Sequence, residues 1–221
     1  MQVFKIFTEE ELTLVKKTLK KLHWEDGKKS AHGHAKEIKS NKQAFPKGKE
    51  FEPILQLLTQ KFYRGALKNI AFAKSLVGVR ANSYSTGETY GWHVDFAHMA
   101  QKRTDMSFTI AISDKTEYEG GELEMEDVGR KASVKLEAGQ MVLYPTGILH
   151  RVKPVTSGTR LCIVGWVESL VPSEEHRTLL VNFNRSLQAV RAKQEKGEFL
   201  EREEVDKLNQ VYFQTMRTLT P

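Results

Sequence analysis

From about residue 75 to residue 168 the chain breaks into short runs rich in β-branched and aromatic residues. A turn signal closes each run: Gly87, Gly120-Gly121, Asp127 to Gly129, Ala138-Gly139, Pro145 to Gly147 and Pro154 to Gly158. That spacing accommodates about seven or eight strands and no helix of ordinary length, so it predicts a sandwich or jelly roll whose two sheets share one interior. In the run Met106 to Ile112, alternation puts Met106, Phe108, Ile110 and Ile112 on one face and Ser107, Thr109 and Ala111 on the other. The second face is small and polar, which suits the lining of a pocket.

Helical spacing flanks this segment on both sides. Thr8 to Glu11 has capping-box spacing and Leu12, Val15, Leu19 and Leu22 follow at helical intervals, predicting a helix over about 9–22. Residues 25–50, punctuated by glycine and proline, read as a partly irregular connection, and Pro53 opens a second helix carrying Ile54, Leu57, Leu58 and Phe62. Beyond Pro172, Leu179, Phe183, Leu187 and Val190 predict a tail helix. A break near Gly197 separates it from another carrying Leu200, Val205, Leu208, Val211 and Tyr212. The reading is mainly β with flanking helices: an N-terminal helical flank over 1–74, a β core over 75–168 and a C-terminal helical flank over 169–221. The tail helices can cap the sheets or mediate a homodimer, since both uses bury the same apolar stripe.

Hydrophobic residues at 39% and charged residues at 28% exclude a disordered chain, and no apolar run is long enough to span a bilayer. The start turns acidic within ten residues and lacks the order of a secretory signal, and the single cysteine, Cys162, lies in an apolar run as a small hydrophobe. The expectation is a cytoplasmic protein with no membrane association. The net charge of +6 invites a nucleic-acid reading, but residues 14–49 hold eleven lysines against three acids, without arginine or interleaved aromatics. Such a cluster reads bases poorly and is expected to form a solvated face.

Chemistry concentrates in Tyr84 to Asp95. Alternate residues of a strand share a face, so His93 and Asp95 project together and can converge on one ion. His150, after the Pro145–Gly147 turn, supplies a third donor, and two imidazoles with one carboxylate suit non-haem Fe(II) with open positions. Arg160 lies ten residues further on. A hairpin closing near residue 155 would set it opposite His150, where its planar fork could grip the far end of a dicarboxylate such as 2-oxoglutarate. Tyr84 and Tyr90, upstream, either hold a ligand or pack with a satisfied hydroxyl. Thr109, on the small face, is a candidate for the cosubstrate pocket. The rival pair His32-x-His34 sits in the lysine-rich stretch with only Glu37 nearby. His98 competes with Asp95 in spacing, but it leads into Met99 to Asp105, read as a polar lid in which Arg103 and Asp105 pair. His23 and His176 read as surface residues, Trp92 and Trp166 as core.

Together these residues resemble the Fe(II)/2-oxoglutarate-dependent dioxygenases of the prolyl and lysyl hydroxylase type. Trp24 to Lys28, Tyr118 to Leu123, Tyr144-Pro145 and Gly165 to Val167 extend the likeness to the bacterial PKHD-type hydroxylases over most of the chain. The resemblance implies a double-stranded β-helix (jelly roll) core, Fe(II) on His93, Asp95 and His150, and 2-oxoglutarate on Arg160, with Tyr84 near a family tyrosine. It also implies ascorbate as a supporting cofactor. The implied reaction hydroxylates an unactivated C–H bond, of a peptidyl proline or a related small substrate, and releases succinate and CO2. Two alternatives stand beside it: an oxidative nucleic-acid demethylase, against which Leu161 to Val164 lack a second arginine, and a non-catalytic metal-binding module of the same fold.

Overall fold

The computed structural model of the chain describes residues 1–46, 48–65, 67–197 and 201–220. In chain order the elements begin with β1 (Gln2–Lys5), α1 (Glu9–Leu19), β2 (Glu25–Asp26), α2 (His34–Glu37), β3 (Lys39–Ser40) and β4 (Lys42–Ala44). Next come α3 (Glu52–Tyr63), α4 (Lys68–Ala71), β5 (Ala73–Ser85), β6 (Thr89–His93), β7 (His98–Met99), β8 (Lys102–Arg103) and β9 (Met106–Ala111). The chain continues through β10 (Tyr118–Gly120), β11 (Leu123–Asp127), β12 (Arg130–Val134), β13 (Gln140–Pro145), β14 (Leu149–Val152) and β15 (Val155–Ser169), and ends with α5 (Glu174–Gln194) and α6 (Arg202–Leu219).

Two antiparallel sheets form the jelly roll. The larger runs β1-β13-β9-β15-β5-β4-β2, with β10 also on β15, and the smaller runs β12-β11-β14-β6-β3. The alternation of β9 sorts as its sequence predicts. Phe108, Ile110 and Ile112 join Leu12, Val15 and Leu19 of α1 and Ile54, Leu58 and Phe62 of α3 in one buried cluster, so the helices cover the outer face of the larger sheet. Ala111 instead joins Tyr84, Leu123, Met125, Val142 and Cys162 in the cluster between the sheets. The tail helices α5 and α6 close on each other through Leu180, Leu187 and Tyr212, with Phe72 and Val171 beneath them. Leu200 of the predicted second tail helix lies outside the described residues.

Local signals explain the flanks. Thr8 Oγ1 accepts from the Glu11 amide at 3.3 Å while Glu11 Oε2 accepts from the Thr8 amide at 2.9 Å, the reciprocal cap that starts α1. The N-terminal quarter also carries strands its polar composition conceals: β1 edges the larger sheet, and the connection over 25–50 contributes β2, β3 and β4. These strands have two to four residues each, too short for any period to show.

The predicted hairpin at residue 155 does not form. The β14 strand belongs to the smaller sheet, where His150 pairs with His93 and Met125, whereas β15 belongs to the larger, where Arg160 pairs with Tyr84. The chain changes sheets at Pro154, which has no N–H to continue the β14 ladder. The Pro154 carbonyl accepts from Gly121 and the Val155 amide donates to Glu88 O, locking the crossover. His150 and Arg160 therefore approach each other across the sandwich rather than along one sheet. Gly121 has φ of +65°, and a Cβ there would lie 3.0 Å from Arg160 Cδ, so glycine leaves the passage that the arginine stem uses.

The sheet–helix layer fixes the platform on which the site is built. Phe62 is fully buried with its ring 5.2 Å from that of Phe108. Phe62→Ala is expected to destabilise the fold by about 3–5 kcal/mol in urea unfolding.

Candidate active site

A cavity of about 340 Å³ opens between the sheets, with His93, Asp95, His150 and Arg160 in its wall. One donor atom from each of His93, Asp95 and His150 lies within 4.8 Å of the other two. Asp95 Oδ1 is 3.9 Å from His93 Nε2 and Oδ2 is 3.7 Å from His150 Nε2, a little wider than the roughly 3 Å between adjacent corners of an octahedron with ~2.1 Å bonds. The fit to a small divalent cation is good: two imidazole nitrogens and a carboxylate, aimed at a common point.

Both imidazoles are oriented by backbone two residues earlier. His93 Nδ1 is 2.8 Å from Gly91 O and His150 Nδ1 is 2.9 Å from Ile148 O. A carbonyl only accepts, so each Nδ1 must carry the proton and each Nε2 presents its lone pair to the centre. Burial, together with the neighbouring His150, pushes His93 down to about 4, which keeps the ring neutral at pH 7. Tyr90 stacks on His93 at 3.6 Å and 19°, fixing the ring plane from one side.

Asp95 arrives differently from its predicted place. The strand β6 ends at His93, and Asp95 lies just beyond it. Its carboxylate is held from the opposite sheet: Oδ2 accepts from Ser107 Oγ at 3.0 Å and from Trp166 Nε1 at 2.9 Å. Ser107 was legible as part of the small polar face of β9. Trp166 is buried, as its sequence suggests, but its indole N–H also orients a site residue. Only the buried polar edge of a tryptophan could have signalled that role, since such an N–H needs an acceptor.

Arg160 is buried at the cavity floor, stacked over Tyr84 at 5.3 Å, with Nη1 3.0 Å from Cys162 Sγ. Burial keeps the Cys162 thiol protonated, as expected of a small core residue. Tyr84 is buried beside the cavity, and burial raises its phenol strongly. Tyr118 adjoins Arg160 in a small side pocket, and Thr109 and Tyr144 line the main cavity. The sequence reading placed Thr109 here but gave no role to Tyr118 or Tyr144.

The other candidates stand apart. His34 pairs with Glu37 at 3.2 Å on an exposed turn, and His32 leans on Phe96 at the cavity mouth, so the rival pair does not converge. His98 is exposed in the β7–β8 hairpin, which replaces the predicted loop. That hairpin turns through Ala100 and Gln101, both at positive φ. Arg103 and Asp105 pair as expected at 3.3 Å and tie its base to Ser169. His23 and His176 are exposed, and Trp92 packs under Arg151.

A family model for the 2OG-Fe(II) oxygenase superfamily matches residues 79–168. A PKHD-type hydroxylase of Idiomarina loihiensis is 42% identical over 165 residues, covering 74% of this chain and 75% of the relative. One from Prochlorococcus marinus is 35% identical over 203 residues, covering 90% and 91%. The chain belongs to the PKHD-type hydroxylases. It is a 2-oxoglutarate-dependent dioxygenase of the 2OG-Fe(II) oxygenase superfamily. Solved structures share the fold. A 2OG-Fe(II) oxygenase family oxidoreductase from Burkholderia pseudomallei superposes with TM-score 0.61 at 17% identity, covering 74% of this chain and 81% of that one. A prolyl hydroxylase from Trichoplax adhaerens, solved with a hypoxia inducible factor peptide fragment, gives 0.54 at 13% identity, covering 80% and 86%.

Proposed function

We propose that His93, Asp95 and His150 hold Fe(II), that Arg160 holds the distal carboxylate of 2-oxoglutarate with Tyr84 and Thr109 beside it in the cavity wall, and that the enzyme hydroxylates a peptidyl proline or a related small substrate, releasing succinate and CO2. The observation that carries this reading is the convergence of the three donors with both imidazole tautomers fixed by backbone. When bound, Fe(II) and 2-oxoglutarate supply the dioxygen chemistry that attacks a C–H bond. The chain's own residues supply position. Ser107 and Trp166 restrain the Asp95 carboxylate, Arg160 provides a buried cation for a dianion, and Thr109 and Tyr144 line the same cavity wall. Val94 and Phe96, exposed beside Asp95, are placed to close over a substrate and exclude water. Ascorbate is assigned the supporting role of keeping the iron reduced. Among the described residues no helix is long and apolar enough to cross a membrane, and a buried, protonated Cys162 suits a cytoplasmic setting.

The complex of the Trichoplax neighbour with a peptide fragment favours a peptide substrate over a nucleobase. The test is an anaerobic titration of Fe(II)-loaded protein with 2-oxoglutarate. A metal-to-ligand charge-transfer band that saturates, followed on admitting air by stoichiometric succinate, is the expected result. Iron binding with neither band nor succinate would reduce the protein to a binding module.

A further inference from the structure

The cavity wall carries two more cations, Lys39 and Arg80, together with Ser30, Gln43 and Asn82. Lys39 comes from the lysine-rich stretch, yet it is only 3% exposed, pinned at 2.9 Å to Ser30 Oγ and set 4.8 Å over the Tyr90 ring. Arg80 lies against Trp166 at 4.7 Å, and its Nε is buried with no hydrogen-bond partner among the described residues. Burial, with Arg80 as a second contributor, brings Lys39 down to about 7, so the two cations already oppose each other.

The hydrogen bonds around them run in one direction. Lys39 Nζ donates to Ser30 Oγ, Ser30 Oγ to Gln43 Oε1 at 2.5 Å, and Gln43 Nε2 to Asn82 Oδ1 at 2.8 Å. Each oxygen of this relay already accepts one hydrogen bond, and the Ser30 hydroxyl also lies 3.0 Å from Gly27 O. Unspent donors remain beside it: the other Lys39 protons, the Arg80 guanidinium and the Asn82 amide N–H groups. A wall of donors is complementary to a group that only accepts. No carboxylate forms an ion pair with either cation among the described residues. Asp95, which attracts both through space, is already assigned to the metal. Once Fe(II) and 2-oxoglutarate are in place, the double charge of the metal and Arg160 balance Asp95 and the dianionic cosubstrate, leaving the Arg80 guanidinium uncompensated and Lys39, poised between its neutral and charged forms, with the through-space attraction of Asp26. Buried uncompensated cations are costly and are retained where a ligand completes them.

We propose that Lys39 and Arg80 form a carboxylate subsite for the substrate, so that this enzyme acts on an anionic molecule whose acid group docks here while its C–H bond faces the iron. This rests on the oxygenase reading above. Arg80 touches the Trp166 ring, so the Trp166 indole resonance reports occupancy, and with three tryptophans in the chain its signal is readily assigned.

The experiment uses protein loaded with Zn(II) and 2-oxoglutarate, which cannot turn over, titrated with N-acetyl-L-proline, with its amide, and with N-acetyl-prolyl-aspartate amide. The expected result is a saturable Trp166 shift at least about tenfold tighter for a carboxylate-bearing probe than for the neutral amide. The preference should be lost in Arg80→Met and Lys39→Met, and partly kept in Arg80→Lys. A preference confined to the free acid assigns a terminal carboxylate, and one confined to the aspartyl probe assigns an acidic side chain. Equal affinity for acid and amide overturns the subsite, as does a preference that survives in both methionine variants. Unchanged 2-oxoglutarate affinity in the variants certifies their fold. Should wild-type protein fail to take 2-oxoglutarate, the oxygenase reading falls and this inference falls with it; failure of the acid–amide comparison alone removes only the subsite.

Discussion

Arg160→Met is expected to weaken 2-oxoglutarate binding by roughly 10²- to 10³-fold without weakening the apo fold. Removing one partner of a buried, hydrogen-bonded ion pair costs about 3–5 kcal/mol, and each 1.4 kcal/mol is tenfold in affinity. In the apo protein the sign reverses. Arg160 is buried among Tyr84, Tyr118 and Cys162, with no carboxylate in contact among the described residues, so the free enzyme carries the desolvation cost of a cation whose counter-ion has yet to arrive. An unbranched apolar side chain of similar length relieves that cost. Apo Arg160→Met should therefore melt at or above the wild-type temperature while its isothermal titration with 2-oxoglutarate goes flat. A variant that binds 2-oxoglutarate as wild type does would remove Arg160 from the cosubstrate site.

The second large effect is expected at Asp95. Asp95→Asn preserves shape and leaves one oxygen to accept from Trp166 or Ser107, but it removes the only anion of the triad. Loss of an orienting partner alone typically costs a metal site 10- to 100-fold, and loss of the ligand charge should exceed ~100-fold. Thermal melts give the cleanest reading. Wild-type protein at a hundred times its dissociation constant for the metal gains about 2.7 kcal/mol of stability, and Asp95→Asn at the same metal concentration should gain almost none. Ser107→Ala, which takes away only one donor to the carboxylate, should fall between the two. Retention of the wild-type shift in Asp95→Asn would break the ligand assignment.

The sequence made much of this site legible because the chemistry is carried by rare residue types at fixed separations. His93, Asp95, His150 and Arg160 are all at the cavity, and the alternation of β9 correctly divided Ser107 and Thr109 from Phe108 and Ile110. What failed was the path between them. A proline-containing turn such as Pro154 to Gly158 is equally compatible with a hairpin and with a crossover between sheets, because both need only one missing N–H and a change of direction. The partner strand decides between them, and strand pairing is a long-range property. Lys39 was hidden for a related reason. In a stretch with lysine at every few positions, nothing local separates the one that turns inward from those that stay in water; β3 has two residues, and its pairing with Tyr90 sets the direction. Trp166 was read as packing, and it packs; the work of its N–H shows only once Asp95 has been brought across from the other sheet.

Each of the two imidazoles takes its tautomer from a main-chain carbonyl, at Gly91 and Ile148. No substitution in the pocket wall can delete those carbonyls. Apart from Tyr90, which stacks on His93, drift in the wall therefore leaves the tautomer of each ring untouched, and a lineage built on this scaffold is free to exchange one substrate for another while its grip on the reactive centre stays inherited intact.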